Sequence, residues 1–141
     1  MRKKTLPILL LLAAVLAAPA SAATVLKLYN INVDWDPNGN LWHLTDKLCN
    51  MSDGSSGGIL YEFQLYQGDV KTGTPIRIGG MKSAALAAHM CRSHHGQQFK
   101  VSTKKVPPGE YKIALWAGDW NGNAYEGGVK YVMERTFIKG N

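Results

Sequence analysis

Residues 59–66, ILYEFQLY, set Ile59, Tyr61, Phe63 and Leu65 on one side and Glu62 and Gln64 on the other. A period of two is the mark of a strand with one face buried. The same alternation returns along the chain. In residues 24–33, TVLKLYNINV, it groups Val25, Tyr29, Ile31 and Val33. In residues 98–103 it runs through Phe99 and Val101, and in 111–117 through Tyr111, Ile113, Leu115 and Ala117. Val129, Tyr131 and Met133 open a last strand over 129–138 that includes Phe137. The short run Ile76-Arg77-Ile78 is confined by Pro75 and by Gly79-Gly80, as an edge strand would be. Residues 41–49, LWHLTDKLC, satisfy both periods. Trp42, Leu44 and Leu48 share a strand face, whereas Leu41, Leu44 and Leu48 share a helix face.

One stretch departs from the β pattern. In SAALAAHMCR at 83–92, Ser83 is a capping residue, the alanines favour helix, and Gly96 supplies a stop. The pattern therefore predicts six or seven short strands, one short helix near 83–92, and no linker or repeat. Closely spaced strands of this kind predict an all-β, single-domain antiparallel sandwich. The stretch PPGEYKIALWA at 107–117 resembles the turn-and-strand near the end of immunoglobulin-like and fibronectin-like sandwiches, where a tyrosine sits just past a proline–glycine turn. The resemblance implies architecture and carries no function.

The N-terminus alters how charge is counted. Arg2, Lys3 and Lys4 precede an apolar run from Leu6 to Ala18, followed by the small residues Ala20-Ser21-Ala22. This is the pattern of a bacterial signal peptide over 1–22, with a domain over 23–141 exported to the periplasm or cell exterior. The run is shorter than the roughly 20 apolar residues of a membrane span, and no later segment qualifies. The whole chain has 16 basic and 10 acidic residues. Removing the three N-terminal cations leaves 13 against 10, or +3. With no basic stripe interleaved with aromatics, nucleic acid is excluded as the expected partner. In an exported chain, Cys49 and Cys91 are expected to form a disulfide.

Two loops carry the candidate chemistry. DWDPNGN at 34–40 places Asp34, Asp36 and Asn38 at calcium-loop spacing, with Gly39 at the turn and Asn40 after it. Thr45 stands where the closing bidentate glutamate belongs. DWNGN at 119–123 offers Asp119, Asn121 and Asn123. If 41–49 is a strand and the helix leaves the parity unchanged, strand alternation places the loops at opposite poles, so neither completes the other's shell. Asp, Asn and Gly are also the residues that tight turns use. All four tryptophans flank these loops. Trp35 and Trp120 are the candidates for exposure and Trp42 and Trp116 for the core, although alternation sets Trp116 opposite Tyr111, Ile113 and Leu115. An exposed indole beside Asp and Asn can stack on a sugar ring while the polar groups bind its hydroxyls. A third cluster, His89, Met90, Cys91, His94 and His95 with Met51, holds ligand types that suit copper or zinc.

Catalysis has no comparable constellation. His43, His89, His94 and His95 are candidate bases, but no serine lies in a nucleophile elbow and no C-x-x-C or phosphate loop occurs. The sequence thus predicts a non-catalytic exported binding protein whose partner is a protein or glycan of the cell envelope. No cofactor is required, and calcium is the one that the loops admit. The alternatives are a metal-binding protein, using calcium or the His/Met cluster, and an inhibitor or surface-assembly subunit acting through protein contacts.

Overall fold

The computed structural model describes residues 24–141. The signal-peptide expectation falls on residues 1–22 and lies outside the described residues. Within them the chain forms β1 (Leu26–Trp35), β2 (Leu41–Asn50), β3 (Ile59–Tyr66), β4 (Ile76–Ser83), β5 (Cys91–Lys100), β6 (Gly109–Trp120) and β7 (Tyr125–Lys139). One sheet has the order β1-β2-β5 and the other β4-β3-β6-β7. All neighbours pair antiparallel. The two sheets pack face to face as a β-sandwich.

Alternation decides which side chains fill the space between the sheets. Trp42, Leu44 and Leu48 enter from one sheet, and Tyr61, Phe63, Leu65, Ile113 and Leu115 from the other; all are fully buried. Trp42 meets Phe63 edge-on at 5.2 Å between centroids. Its indole N–H donates to the Gly39 carbonyl at 3.0 Å, so the buried polar end is satisfied. At the start of β6 the Tyr111 hydroxyl donates to the Pro107 carbonyl at 2.7 Å. That bond ties the turn to the strand, as tyrosines do at sandwich corners. Cys49 and Cys91 face each other in the β2–β5 ladder and are joined by a disulfide of 2.04 Å.

The helix expected near 83–92 is absent. β4 continues to Ser83, a loop spans 84–90, and β5 starts at Cys91. Two buried polar residues explain the difference. Asn50 Nδ2 donates to the carbonyls of Gly54, Leu86 and Ala87 at 2.9, 3.1 and 3.3 Å. The Leu86 N–H donates to Ser56 Oγ at 2.8 Å, and the Ser56 N–H returns to the Leu86 carbonyl at 2.8 Å. Backbone groups that a helix would use internally are thus taken by tertiary partners. His89, at φ 58°, breaks any helical run.

β1 also differs from its simple reading. Leu26 and Val33 point inward, while Val25 and Tyr29 are exposed. Asn30, at φ 51°, lies within an irregularity in the β1–β2 register between Tyr29 and Asn32 that shifts the alternation by one residue. β4 runs through Gly79-Gly80 instead of ending before them, because both glycines are paired with β3, opposite Phe63 and Glu62, and their lack of a side chain lets the chain fit a crowded place. A Cβ at Gly80 would stand 2.2 Å from the Tyr61 carbonyl oxygen.

The antiparallel order separates the ends of the molecule. The 36–40 turn is bound to the end of β5, with the Val101 N–H donating to the Asn40 carbonyl at 3.0 Å. The 121–124 turn lies at the other pole, where the Trp120 N–H donates to the Gly58 carbonyl at 2.9 Å.

Candidate functional site

β6 alternates strictly. Tyr111, Ile113, Leu115 and Ala117 go to the core, which leaves Ala114, Trp116, Gly118 and Trp120 on the outer face of the four-stranded sheet. Across the β6–β7 ladder, Trp116 is in register with Lys130 and Trp120 with Tyr125. β7 is irregular between these pairs, where Gly127 takes φ 59°. This bulge switches the alternation and puts Tyr125 on the same face as Trp116.

The indole of Trp116 lies on the main chain. A Cβ at Gly118 would fall 2.0 Å from Cη2 and 2.4 Å from Cζ2. A Cβ at Gly128 would fall 2.2 Å from Nε1 and 2.3 Å from Cε2. One glycine therefore floors the six-membered end of the ring and the other the five-membered end. The ring lies across two strands and is half-buried. Beside it Trp120, 41% exposed, packs on Tyr125 with centroids 5.0 Å apart.

Polar side chains complete this face. Glu62 is in register with Trp116 on the β3 side. Arg77 Nε contacts Glu62 Oε1 at 3.1 Å, and Gln64 Nε2 donates to Glu62 Oε2 at 3.0 Å. The Tyr66 hydroxyl donates to Gln64 Oε1 at 2.9 Å and accepts from Lys130 Nζ. The Lys130 ammonium also lies over the Tyr66 ring, 4.6 Å from its centroid. Together these make a continuous ladder from Arg77 to Lys130 that holds each planar group in place. Trp116, Tyr125, Glu62, Gln64, Arg77 and Lys82 line a cleft of about 470 Å³. A larger depression of about 600 Å³ lies at the other pole beside Asp69, Lys71, Glu110 and Lys112. The aromatic rings that border it, Tyr66 and Tyr111, are buried.

The sequence-derived candidates are distributed differently. Trp120 belongs to the aromatic face. Trp35 stacks on Trp42 at 5.4 Å, and its other side is taken by the Arg135 guanidinium at 3.8 Å. Asp34 pairs with Arg135 at 2.9 Å. Asp36 Oδ1 accepts from the Asn40 N–H at 3.0 Å, closing its own turn, while the Asn38 side chain is exposed. In the second loop Asp119 Oδ1 accepts from the Gly57 N–H at 2.6 Å. Asn121 Oδ1 accepts from the N–H groups of Asn123 and Ala124, both at 2.9 Å. The oxygens at calcium-loop spacing are thus largely used to build the turns themselves. Among the described residues no group of three or more His, Cys, Asp or Glu side chains gathers to hold a metal ion. His89 Nε2 is engaged with Asp53 at 2.8 Å, His94 points inward, and His95 is exposed.

The inward His94 is part of a buried titratable group. Its Nδ1 lies 2.5 Å from Asp46 Oδ1, and its ring meets Tyr61 edge-on at 5.4 Å. Burial is the largest influence on Asp46 and raises its pKa, against the lowering effects of the hydrogen bond and charge of His94. Burial, followed by the Asp46 charge, likewise pushes the Tyr61 hydroxyl well above its ordinary value. Asp46 Oδ2 and the Tyr61 hydroxyl sense one another without the geometry of a full hydrogen bond. The three groups thus meet in the space between the sheets, where Asp46 and Tyr61 are buried.

Trp116 was legible only in part. Its place opposite the core residues of β6 follows from alternation, but its glycine floor depends on pairing between strands. Tyr125 and Glu62 needed the ladder register as well. No family model matches the chain, and no curated protein matches it.

Proposed function

We propose that the chain is an exported, non-catalytic binding protein of the bacterial periplasm or cell exterior, and that its working surface is the outer face of the four-stranded sheet around Trp116. One observation carries this reading. A large aromatic ring is laid flat on a floor of two glycines and surrounded by hydrogen-bonded polar side chains, on a face that the fold itself leaves uncovered. Core packing does not require that arrangement, because the opposite face of β6 already supplies the core. A preformed aromatic surface with a few fixed polar groups is the usual composition of a binding site. The disulfide suits an oxidising compartment, which supports export.

Capture of partners from an envelope fraction on immobilised protein tests the reading. The wild type is expected to retain a component that the double variant Trp116→Ala/Trp120→Ala releases. Equal capture by both proteins would place the working surface elsewhere, with the 34–40 turn the next region to vary.

A further inference from the structure

Building on the reading that the Trp116 face is the working surface, we infer that its occupant is a polysaccharide, a run of pyranose rings lying across Trp116 and continuing toward Trp120 and Tyr125. A pyranose has two chemically different parts. Its face is a flat patch of axial C–H groups, and its edge is a rim of hydroxyls. Trp116 offers the complement of the first part. The indole rests on Gly118 and Gly128, so it cannot tip into the sheet when a ring presses on it. Glu62, with Arg77 and Lys82 beside it in the cleft, offers the complement of the second. A carboxylate is a planar group suited to a vicinal hydroxyl pair. Glu62 is already held, by Arg77 at 3.1 Å and by the buried Gln64 at 3.0 Å, so little side-chain entropy is lost on binding.

Two aromatic surfaces favour a chain over a single sugar. The Trp116 indole lies over Gly118 and Gly128, and the Trp120–Tyr125 pair follows farther along the same face. The same face argues against a protein partner. A stable protein interface buries on the order of 800 Å² per side around an apolar core. Here Leu60 and Ala114, the aliphatic groups nearest Trp116, are buried at 7% and 0% exposure, and the exposed aliphatics of the same sheet face, Val132 and Ile138, lie farther along β7, away from Trp120 and Tyr125. Around the rings themselves polar groups and ring faces are left to meet a ligand.

Cellohexaose and chitohexaose, titrated into ¹⁵N-labelled protein and followed by NMR and calorimetry, provide the test. With either sugar, the amides of Gly118 and Gly128 and the Trp116 indole N–H are expected to shift. The hexasaccharide should bind more tightly than its monosaccharide. Trp116→Ala should weaken binding roughly tenfold or more, Trp120→Ala less, and Asn38→Ala at the opposite pole not at all. Melting temperatures of the variants show whether each remains folded, and the wild-type shifts need no variant. If both hexasaccharides leave Gly118 and Gly128 unmoved while an envelope protein is captured through Trp116, the polysaccharide inference falls and the working surface stands. If neither sugar binds and no captured component depends on Trp116, both fall together.

Discussion

Removing the Cys49–Cys91 bond should lower stability by about 4 kcal/mol. The sulfurs are 42 residues apart in sequence, yet Cys49 and Cys91 sit opposite each other in the β2–β5 ladder. The folded state therefore already holds them together through main-chain pairing, and breaking the bond loses little there. The effect lies in the unfolded chain, which gains the freedom of an open loop. Chain-entropy arithmetic for a closed loop of this size gives roughly 13 cal/mol/K, or about 4 kcal/mol at 25 °C. For a domain of about 120 residues this corresponds to a fall in Tm of roughly 15 °C. Urea denaturation of a Cys49→Ala/Cys91→Ala variant, beside wild type with and without reductant, gives the measurement. Reduced wild type separates the cross-link from the change of side chain. The m-value should rise on reduction, since the open chain exposes more surface. A loss below about 1 kcal/mol would refute the reasoning, because loop closure would then contribute far less than the chain-entropy relation requires.

Other perturbations test the remaining elements. Asn50→Ala strips four backbone groups of their partner in a buried site, and should cost about 2–4 kcal/mol by urea titration. Asp46→Asn should alter the pH profile. Because burial raises the Asp46 pKa in the fold above its ordinary 3.8, its share of stability is full below that value and is lost as pH rises through the folded pKa. Wild type should therefore gain stability relative to Asp46→Asn as pH falls from neutral toward about 4, and parallel curves would reject the assignment. Melts in Ca²⁺ and in EDTA should coincide, since Asp36, Asp119 and Asn121 spend their oxygens on their own surroundings; a higher melting temperature in Ca²⁺ would show native-state binding. Gly128→Val should abolish ligand capture while leaving the core intact, as judged by near-UV circular dichroism and Tm, because the added carbons occupy the place of the Trp116 ring.

Local pattern revealed what the chain decides locally. β3 and β6 were plain because each alternates without interruption over a buried face. The disulfide followed from an even count of two cysteines with export expected, and the sandwich from the number and spacing of strands. The errors arose where a distant residue overrules a local preference. Residues 83–92 have a helical composition, but Asn50 and Ser56, more than two dozen positions upstream, take the hydrogen bonds of Leu86. The shared face expected for Val25, Tyr29, Ile31 and Val33 holds only for the last two, because the irregularity at Asn30 reverses the alternation midway. The candidate site shows the same limit. Asp and Asn beside Trp drew notice to the loops, where they serve mainly as turn chemistry. Trp116 drew less, because a ring on an outer face becomes informative only when Gly118 and Gly128 are known to lie beneath it.

That glycine floor bears on how the surface can change over generations. Every glycine codon is a single base change from an alanine or a valine codon, so replacements at 118 and 128 arise readily by mutation. Each would pry the indole upright while the interior stays sealed. A lineage could thus discard the proposed recognition in one step and keep a folded body free to acquire another use.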